Sequence, residues 1–356
     1  MSKPILAAIL SVAGTSLTDE EKFILEKYNP VGIALFGRNI QSKPQLKSLI
    51  KEIKEVIGRN DVLIAIDQEG GRVRRLTPPD YRPYAAHIEI GQLPFEQAKQ
   101  AAQFHAELIS NDFHELGINV NFAPCIDRLY NNTTEALKSR CFSDDLNVVS
   151  TLGKTMVDTY MKNGILPCIK HMPGLGSAIN DPHLSLPQTS LSKELFEADL
   201  KPFIECNHSP LAMTAHLLIP HIDKENALTQ SKQGIKQLIR EKIGFDGFLI
   251  SDGIDMHALK GTLTQKTLKI IEAGCDCICY SMGTIDGLRE LSENCPKLSD
   301  AAYQRLDNAL QILHNVYEKP NIKLISDKYS KLLSDITPYK ETYDATEVLH
   351  KLQTKE

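Results

Sequence analysis

The stretch Lys3-Pro4-Ile5-Leu6-Ala7-Ala8-Ile9-Leu10-Ser11-Val12-Ala13-Gly14 decides the fold. One basic residue precedes an apolar run that closes on small residues, the outline of a short secretory leader, although the run is too short to cross a bilayer as a helix. It is also the right length for a strand buried on both faces, and it passes directly into a helix start. The two readings lead to different molecules, because seven further runs of the same kind follow.

Working outward, apolar runs of strand length recur at residues 32–36, 62–66, 120–124, 166–169, 211–214, 247–250 and 275–280. They start roughly 40 residues apart, the scale of a β-α unit with insertions. Continuous apolar runs separated by helical patterns imply parallel strands covered on both faces, joined by right-handed crossovers. Periodicity alone also admits an open, doubly wound sheet, but eight alternations favour a closed barrel. Counting residues 5–12 as the first strand completes that barrel, and losing them as a leader would open it. The expectation is therefore a single (β/α)8 barrel over residues 1–320, a helical tail over 321–356 packed on its outside, and a cytoplasmic location.

Individual helices are legible as well. Thr18-Asp19-Glu20-Glu21 has the capping-box form, with Phe23, Ile24 and Tyr28 as the stripe behind it. Ser299-Asp300 opens a helix in which Leu306, Leu310, Leu313 and Val316 recur at three and four residues, up to Pro320.

The 356 residues are 42% hydrophobic and 24% charged, as in ordinary globular proteins. Lys plus Arg is 40, Asp plus Glu is 45, and the net charge of −5 gives no support for nucleic acid or an anionic membrane as partner. A neutral, polar small molecule fits better. The 8 cysteines show no repeated CxxC or Cys/His metal spacing and read as reduced and buried. Cys275, Cys277 and Cys279 alternate, so they are expected on one face of the last strand as barrel packing.

A barrel of this kind places its chemistry at the carboxyl ends of the strands. The third run leads into Asp67-Gln68-Glu69-Gly70-Gly71-Arg72-Val73-Arg74-Arg75, where a carboxylate beside arginines either grips vicinal hydroxyls or forms a structural ion-pair knot. After the fourth run, Asp127 reads as a cap and Arg140 as a weak candidate. The fifth leads through Lys170-His171-Met172-Pro173-Gly174-Leu175-Gly176 into a loop carrying Asp181 and His183, an Asp/His pair suited to moving a proton near neutral pH. His216, ending the sixth run, either lines the mouth or is a satisfied core histidine. The seventh ends in Ser251-Asp252-Gly253-Ile254-Asp255-Met256: Asp252 there is a nucleophile, base, metal ligand or ion-pair partner, and Asp255 reads as a helix N-cap.

Taken together and in order, Gly32-Ile33-Ala34-Leu35-Phe36, Asp67-Gln68-Glu69-Gly70-Gly71-Arg72-Val73, Asn121-Phe122-Ala123-Pro124, Lys170-His171-Met172-Pro173-Gly174 with Asp181 and His183, and Ser251-Asp252 before Met256 resemble glycoside hydrolase family three. The likeness is closest to its single-domain bacterial β-N-acetylglucosaminidase branch, the cytoplasmic enzymes of cell-wall recycling. That resemblance implies a retaining exo-hydrolase of terminal N-acetylglucosamine in peptidoglycan fragments, with Asp252 as nucleophile and His183 as acid/base supported by Asp181. It implies that Asp67, Arg75, Arg140, Lys170 and His171 hold the sugar and that no metal or organic cofactor is needed; the oligomeric state is left open, with a monomer favoured. Three positions depart from the pattern: Leu175 stands where the family usually has His, Pro182 where it usually has Ser, and Gly253 where it commonly has Asp. Competing readings are a β-glucosidase or β-xylosidase of the same family, a catalytically weak sugar-binding protein, and a lyase using Lys170 as a Schiff-base amine. Phosphate in place of water as acceptor is a further variant.

Overall fold

The computed structural model describes residues 3–178 and 185–340. Among them, β1 (Leu6–Leu10), β2 (Pro30–Leu35), β3 (Leu63–Ile66), β4 (Val120–Asn121), β5 (Leu166–Met172), β6 (Leu211–Thr214), β7 (Phe248–Gly253) and β8 (Cys277–Cys279) pair in parallel, in chain order, into a closed barrel. The deciding stretch is β1. Buried along its whole length, it pairs with β2 at Ile9↔Gly32 and with β8 at Ala8↔Ile278, so it is the strand that closes the ring.

The apolar side chains divide into two layers. Ile9, Ala34, Ala65, Val120, Cys168, Met213, Ile250, Cys277 and Cys279 fill the inside of the barrel. Ala302, Leu306 and Ala309 of the helix Asp300–Leu310 join the same cluster beside Ile5, Val31, Leu166, Leu211 and Phe248, which stand at the amino ends of the strands. That helix therefore stoppers the amino end and leaves the carboxyl end for the site. Alternate strand residues such as Leu10, Ile33, Ile64 and Ile169 face outward into the layer beneath the surrounding helices.

Several expectations change in detail. β4 pairs regularly over only two residues, because side-chain amides take over its ladder: Asn119 accepts from the Ile64 amide at 2.7 Å and donates to the Val62 carbonyl at 3.0 Å. Asn121 does the same with the main chain of Gln68 at 3.1 and 3.0 Å. The capping box at Thr18 and Glu21 forms, but Phe23 points to solvent at 59% exposure while Leu25 takes the buried position beside Ile24. Ser299 caps its helix as expected, yet the regular helix ends at Leu310 and Val316 is 83% exposed. Cys275 precedes β8 and packs in the outer layer, so only Cys277 and Cys279 share the inner face. All eight cysteines are free and buried.

Beyond the barrel, the helix Ile322–Leu332 buries Ile325 and Tyr329, the latter against the helix Phe95–Leu116. Among the described residues no helix is long and apolar enough to cross a membrane.

Candidate active site

Strand alternation aims the polar residues. On β5, Cys168 fills the barrel and Lys170, two residues on, emerges at its mouth; Ala65 and Asp67 are related in the same way after β3, as are Ile250 and Asp252 on β7. The next step of the same alternation, Glu69, reaches the mouth because the chain doubles back at Gly70, whose φ of 111° belongs to glycine. A Cβ at Gly70 would stand 2.0 Å from the Ala85 carbonyl oxygen.

These residues form one chain of ion pairs. Lys170 Nζ lies 2.8 Å from Asp67 Oδ1 and 2.6 Å from Glu69 Oε1. Arg75 Nη2 reaches Asp67 Oδ2 at 3.3 Å, and Arg140 grips Glu69 through Nη2 at 2.8 Å and Nε at 2.9 Å. Burial opposes ionisation of both carboxyls, but the surrounding cations win: Lys170 and Arg75 hold Asp67 below the usual carboxylate range, and Arg140 and Lys170 hold Glu69 well below it. Lys170 is likewise raised despite its burial, so the ammonium persists. A charged amine is no Schiff-base nucleophile, which weighs against the lyase reading.

His171 continues the array. Its Nδ1 donates to Asp127 Oδ2 at 2.7 Å, and Arg140 Nη2 stands 3.1 Å from its Nε2. Burial alone would lower the pKa of this ring, yet the Asp127 carboxylate more than offsets burial and Arg140, raising it to about 9. Asp127 is thus more than the cap expected of it: fully buried, it also accepts from the Leu175 amide at 2.6 Å and the His171 amide at 3.2 Å.

Asp252 stands at the carboxyl end of β7, 8% exposed, with Oδ1 accepting from the Gly253 amide at 2.8 Å. No direct bond joins it to the ion-pair array among the described contacts, but the Cys168 and Cys279 thiols beneath feel both the Asp67 and the Asp252 charge. In the closed strand order β3 and β7 stand opposite one another, so the two carboxylates flank one centre. Asp181, Pro182 and His183 lie outside the described residues.

Other candidates resolve differently. His216 is a satisfied core histidine, with Nδ1 2.9 Å from the Thr229 hydroxyl and Nε2 donating to the Gly253 carbonyl at 3.0 Å. Asp255 caps no helix; the following helix, Leu263–Ala273, is capped by Thr262, and Asp255 instead accepts from Ser281 N at 2.8 Å and Ser281 Oγ at 2.5 Å, tying the ends of β7 and β8. Cys125, Asp127 and His171 bring three metal-ligand atoms within 4.8 Å of one another. Those atoms already bond one another, with Cys125 Sγ donating to Asp127 at 3.2 Å, and burial holds the thiol protonated, so the trio acts as a hydrogen-bonded unit.

This barrel has known counterparts. Residues 6–316 match the Glycosyl hydrolase family 3 N terminal domain. The chain belongs to glycosyl hydrolase family 3. Within that family it is 32% identical over 320 residues to a beta-hexosaminidase of Neisseria gonorrhoeae, covering 86% of each chain. It is 31% identical over 285 residues to Beta-hexosaminidase A of Pseudoalteromonas piscicida, of which it spans 48%. In three dimensions it resembles NagZ from Neisseria gonorrhoeae in complex with N-trifluoroacetyl-D-glucosamine, with a TM-score of 0.83 and 28% identity, covering 93% of this chain and 98% of the other.

Two departures from the family pattern can be placed. Leu175 is buried in the outer apolar layer, leaving only its amide for Asp127. Gly253 ends β7 with room beside it: a Cβ there would meet Met256 Cε at 3.4 Å and Asp255 Oδ1 at 3.8 Å. Glu69 is the residue that sequence reasoning passed over, although its spacing from Asp67 carried the signal.

Proposed function

We propose that this family 3 hydrolase is a retaining exo-β-N-acetylglucosaminidase, acting as a cytoplasmic monomer on terminal N-acetylglucosamine of peptidoglycan fragments, with residues 1–320 as its catalytic barrel. The observation that carries the reading is the array of buried Glu69, Lys170 and His171 and half-buried Asp67 and Arg140, facing Asp252 across the barrel mouth. Such an array alternates fixed acceptors and donors, which suits a ring of vicinal hydroxyls. Similarity to enzymes named beta-hexosaminidase, and to a NagZ holding an N-acylated glucosamine analogue, supports the choice of sugar.

In this mechanism Asp67, Arg75, Lys170, Arg140 and His171 hold the sugar hydroxyls. Asp252 attacks C1 through an oxocarbenium-like transition state and forms a glycosyl ester. His183, oriented by Asp181, gives its proton to the departing oxygen and then takes one from the water that cleaves the ester, so configuration at C1 is retained. The family pattern supplies these two roles. Hydrolysis of a chromogenic β-N-acetylglucosaminide, with proton NMR of the first-formed anomer, tests the reading. Turnover with the β-anomer appearing first is expected, and loss of roughly 10³-fold or more in kcat for Asp252→Ala. Absence of turnover by the intact protein, or an unaffected Asp252→Ala, sinks it.

A further inference from the structure

Behind the Glu69–Arg140 pair, two buried histidines hold the main chain of its two partners. His105, on the helix Phe95–Leu116, places Nε2 2.8 Å from the Glu69 carbonyl oxygen and Nδ1 2.8 Å from the Tyr329 hydroxyl. His87, on the short helix His87–Gly91, places Nδ1 3.0 Å from the Arg140 carbonyl oxygen. Its ring lies flat on Phe142 at 4.3 Å between centroids and edge-on to His105 at 6.1 Å. The main-chain carbonyls of both ion-paired residues are thus pinned from one packed layer.

The direction of each bond follows from its partner. A carbonyl oxygen only accepts, so Nε2 of His105 carries the proton. Burial drives the pKa of this ring down to about 3, so it is neutral and its Nδ1 must accept. The donor is then the Tyr329 hydroxyl, whose oxygen in turn accepts from the Ala85 amide at 3.2 Å. One order satisfies all groups: Ala85 N–H to Tyr329 O–H to His105 to the Glu69 carbonyl.

Tyr329 stands on the helix Ile322–Leu332, beyond the residues 6–316 that match the family domain. We propose that Tyr329 is a positioning residue for the sugar site: through His105 it fixes the main chain of Glu69, and thereby the Arg140 and Lys170 donors that Glu69 holds. The segment that looked like packing on the outside of the barrel is, on this account, part of the binding apparatus. The inference rests on the glycosidase reading for what the site binds, and on the hydrogen-bond order alone for how it is held.

The test compares Tyr329→Phe, which removes only the hydroxyl, with Ile325→Ala, which loosens the same helix without touching the relay. Steady-state kinetics on the chromogenic β-N-acetylglucosaminide are expected to give Tyr329→Phe a KM raised about tenfold with kcat within about twofold, since one buried bond behind ground-state donors is lost. Ile325→Ala is expected to lower the melting temperature at least as far with KM unchanged. In parallel, 15N NMR of histidine-labelled wild-type protein is expected to show His105 neutral with its proton on Nε2. Equal KM in wild type and Tyr329→Phe, a KM that rises in both variants in proportion to lost stability, or a proton on Nδ1 of His105 overturns the proposal. A wild-type protein without turnover overturns the glycosidase reading and the binding role together, while the His105 spectrum still decides whether the relay exists.

Discussion

Arg140 grips Glu69 with two nitrogens, Nη2 at 2.8 Å and Nε at 2.9 Å, with the carboxylate side chain 2% exposed and the guanidinium 13%. Neither residue is near the other in sequence, and neither strand end alone explains the contact. Glu69 arrives from the turn after β3, Arg140 from the long segment after β4, and Lys170 from β5 completes the carboxylate's shell at 2.6 Å. Charges so enclosed are already oriented, so little reorganisation would accompany binding of the sugar proposed above.

Glu69→Gln keeps the shape and removes the charge. Arg140 then faces a neutral acceptor, and Lys170 keeps only Asp67 as counter-charge. Breaking a buried pair from one side costs about 3–5 kcal/mol, so denaturant unfolding should show a loss of that order together with a raised KM. A variant of wild-type stability would mean that solvent compensates the two cations, contrary to the burial seen here.

The His171–Asp127 pair predicts a dependence on pH. The folded pKa of His171 is raised from 6.5 to about 9, so the folded state holds this proton more tightly than the unfolded chain. Its contribution is therefore fully present below the unfolded value of 6.5 and is lost as pH rises through about 9. The stability difference between wild type and Asp127→Asn should shrink over that interval in denaturant titrations. Asp67 and Glu69, whose pKa values are lowered, work in the opposite sense and withdraw their contribution only in acid. A difference that stays constant from neutral pH to above 9 would disprove the assignment.

Much of this was legible before the structure, for a physical reason. Strands buried on both faces must be apolar throughout, so all eight announced themselves, and the carboxyl-end rule then pointed to Asp67, Lys170, His171 and Asp252. What remained hidden depends on partners far away in sequence. Val316 keeps the helical spacing of Leu306 but has nothing to pack on, and Phe23 sits one position off the buried face. Asp255 looks like a cap until Ser281 claims both its oxygens. Asn119 and Asn121 shorten β4 by replacing main-chain bonds that no propensity scale registers. His87 and His105 lie in helices, where a histidine carries no periodic signal of what its ring will meet.

Gly70→Ala should be severe. The glycine holds a φ of 111°, and the new methyl would fall 2.0 Å from the Ala85 oxygen, a backbone atom that cannot step aside cheaply. A loss of about 2–4 kcal/mol is expected, with Glu69 displaced and KM raised. Thermal melts with parallel kinetics check both effects; a fully stable and active alanine variant would show that this turn is soft.

Gly253→Asp, which restores the residue common in the family, should harm this protein rather than help it. The position itself accepts a side chain: φ is not in the left-handed region, and the nearest atoms to a Cβ are Met256 Cε at 3.4 Å and Asp255 Oδ1 at 3.8 Å. The obstacle is charge. Asp255 already offers a carboxylate there, fixed by both Ser281 donors, and a second one beside it and next to Asp252 would crowd three negative charges at the end of β7. Stability should fall by about 1–2 kcal/mol at neutral pH, and Asp255→Asn should recover much of that loss by removing the repulsion. The double-mutant cycle measured by denaturant unfolding reads this coupling directly. Additive single-variant effects would show that Gly253 and Asp255 do not share the same space, and that the glycine at 253 reflects a constraint other than its neighbour's charge.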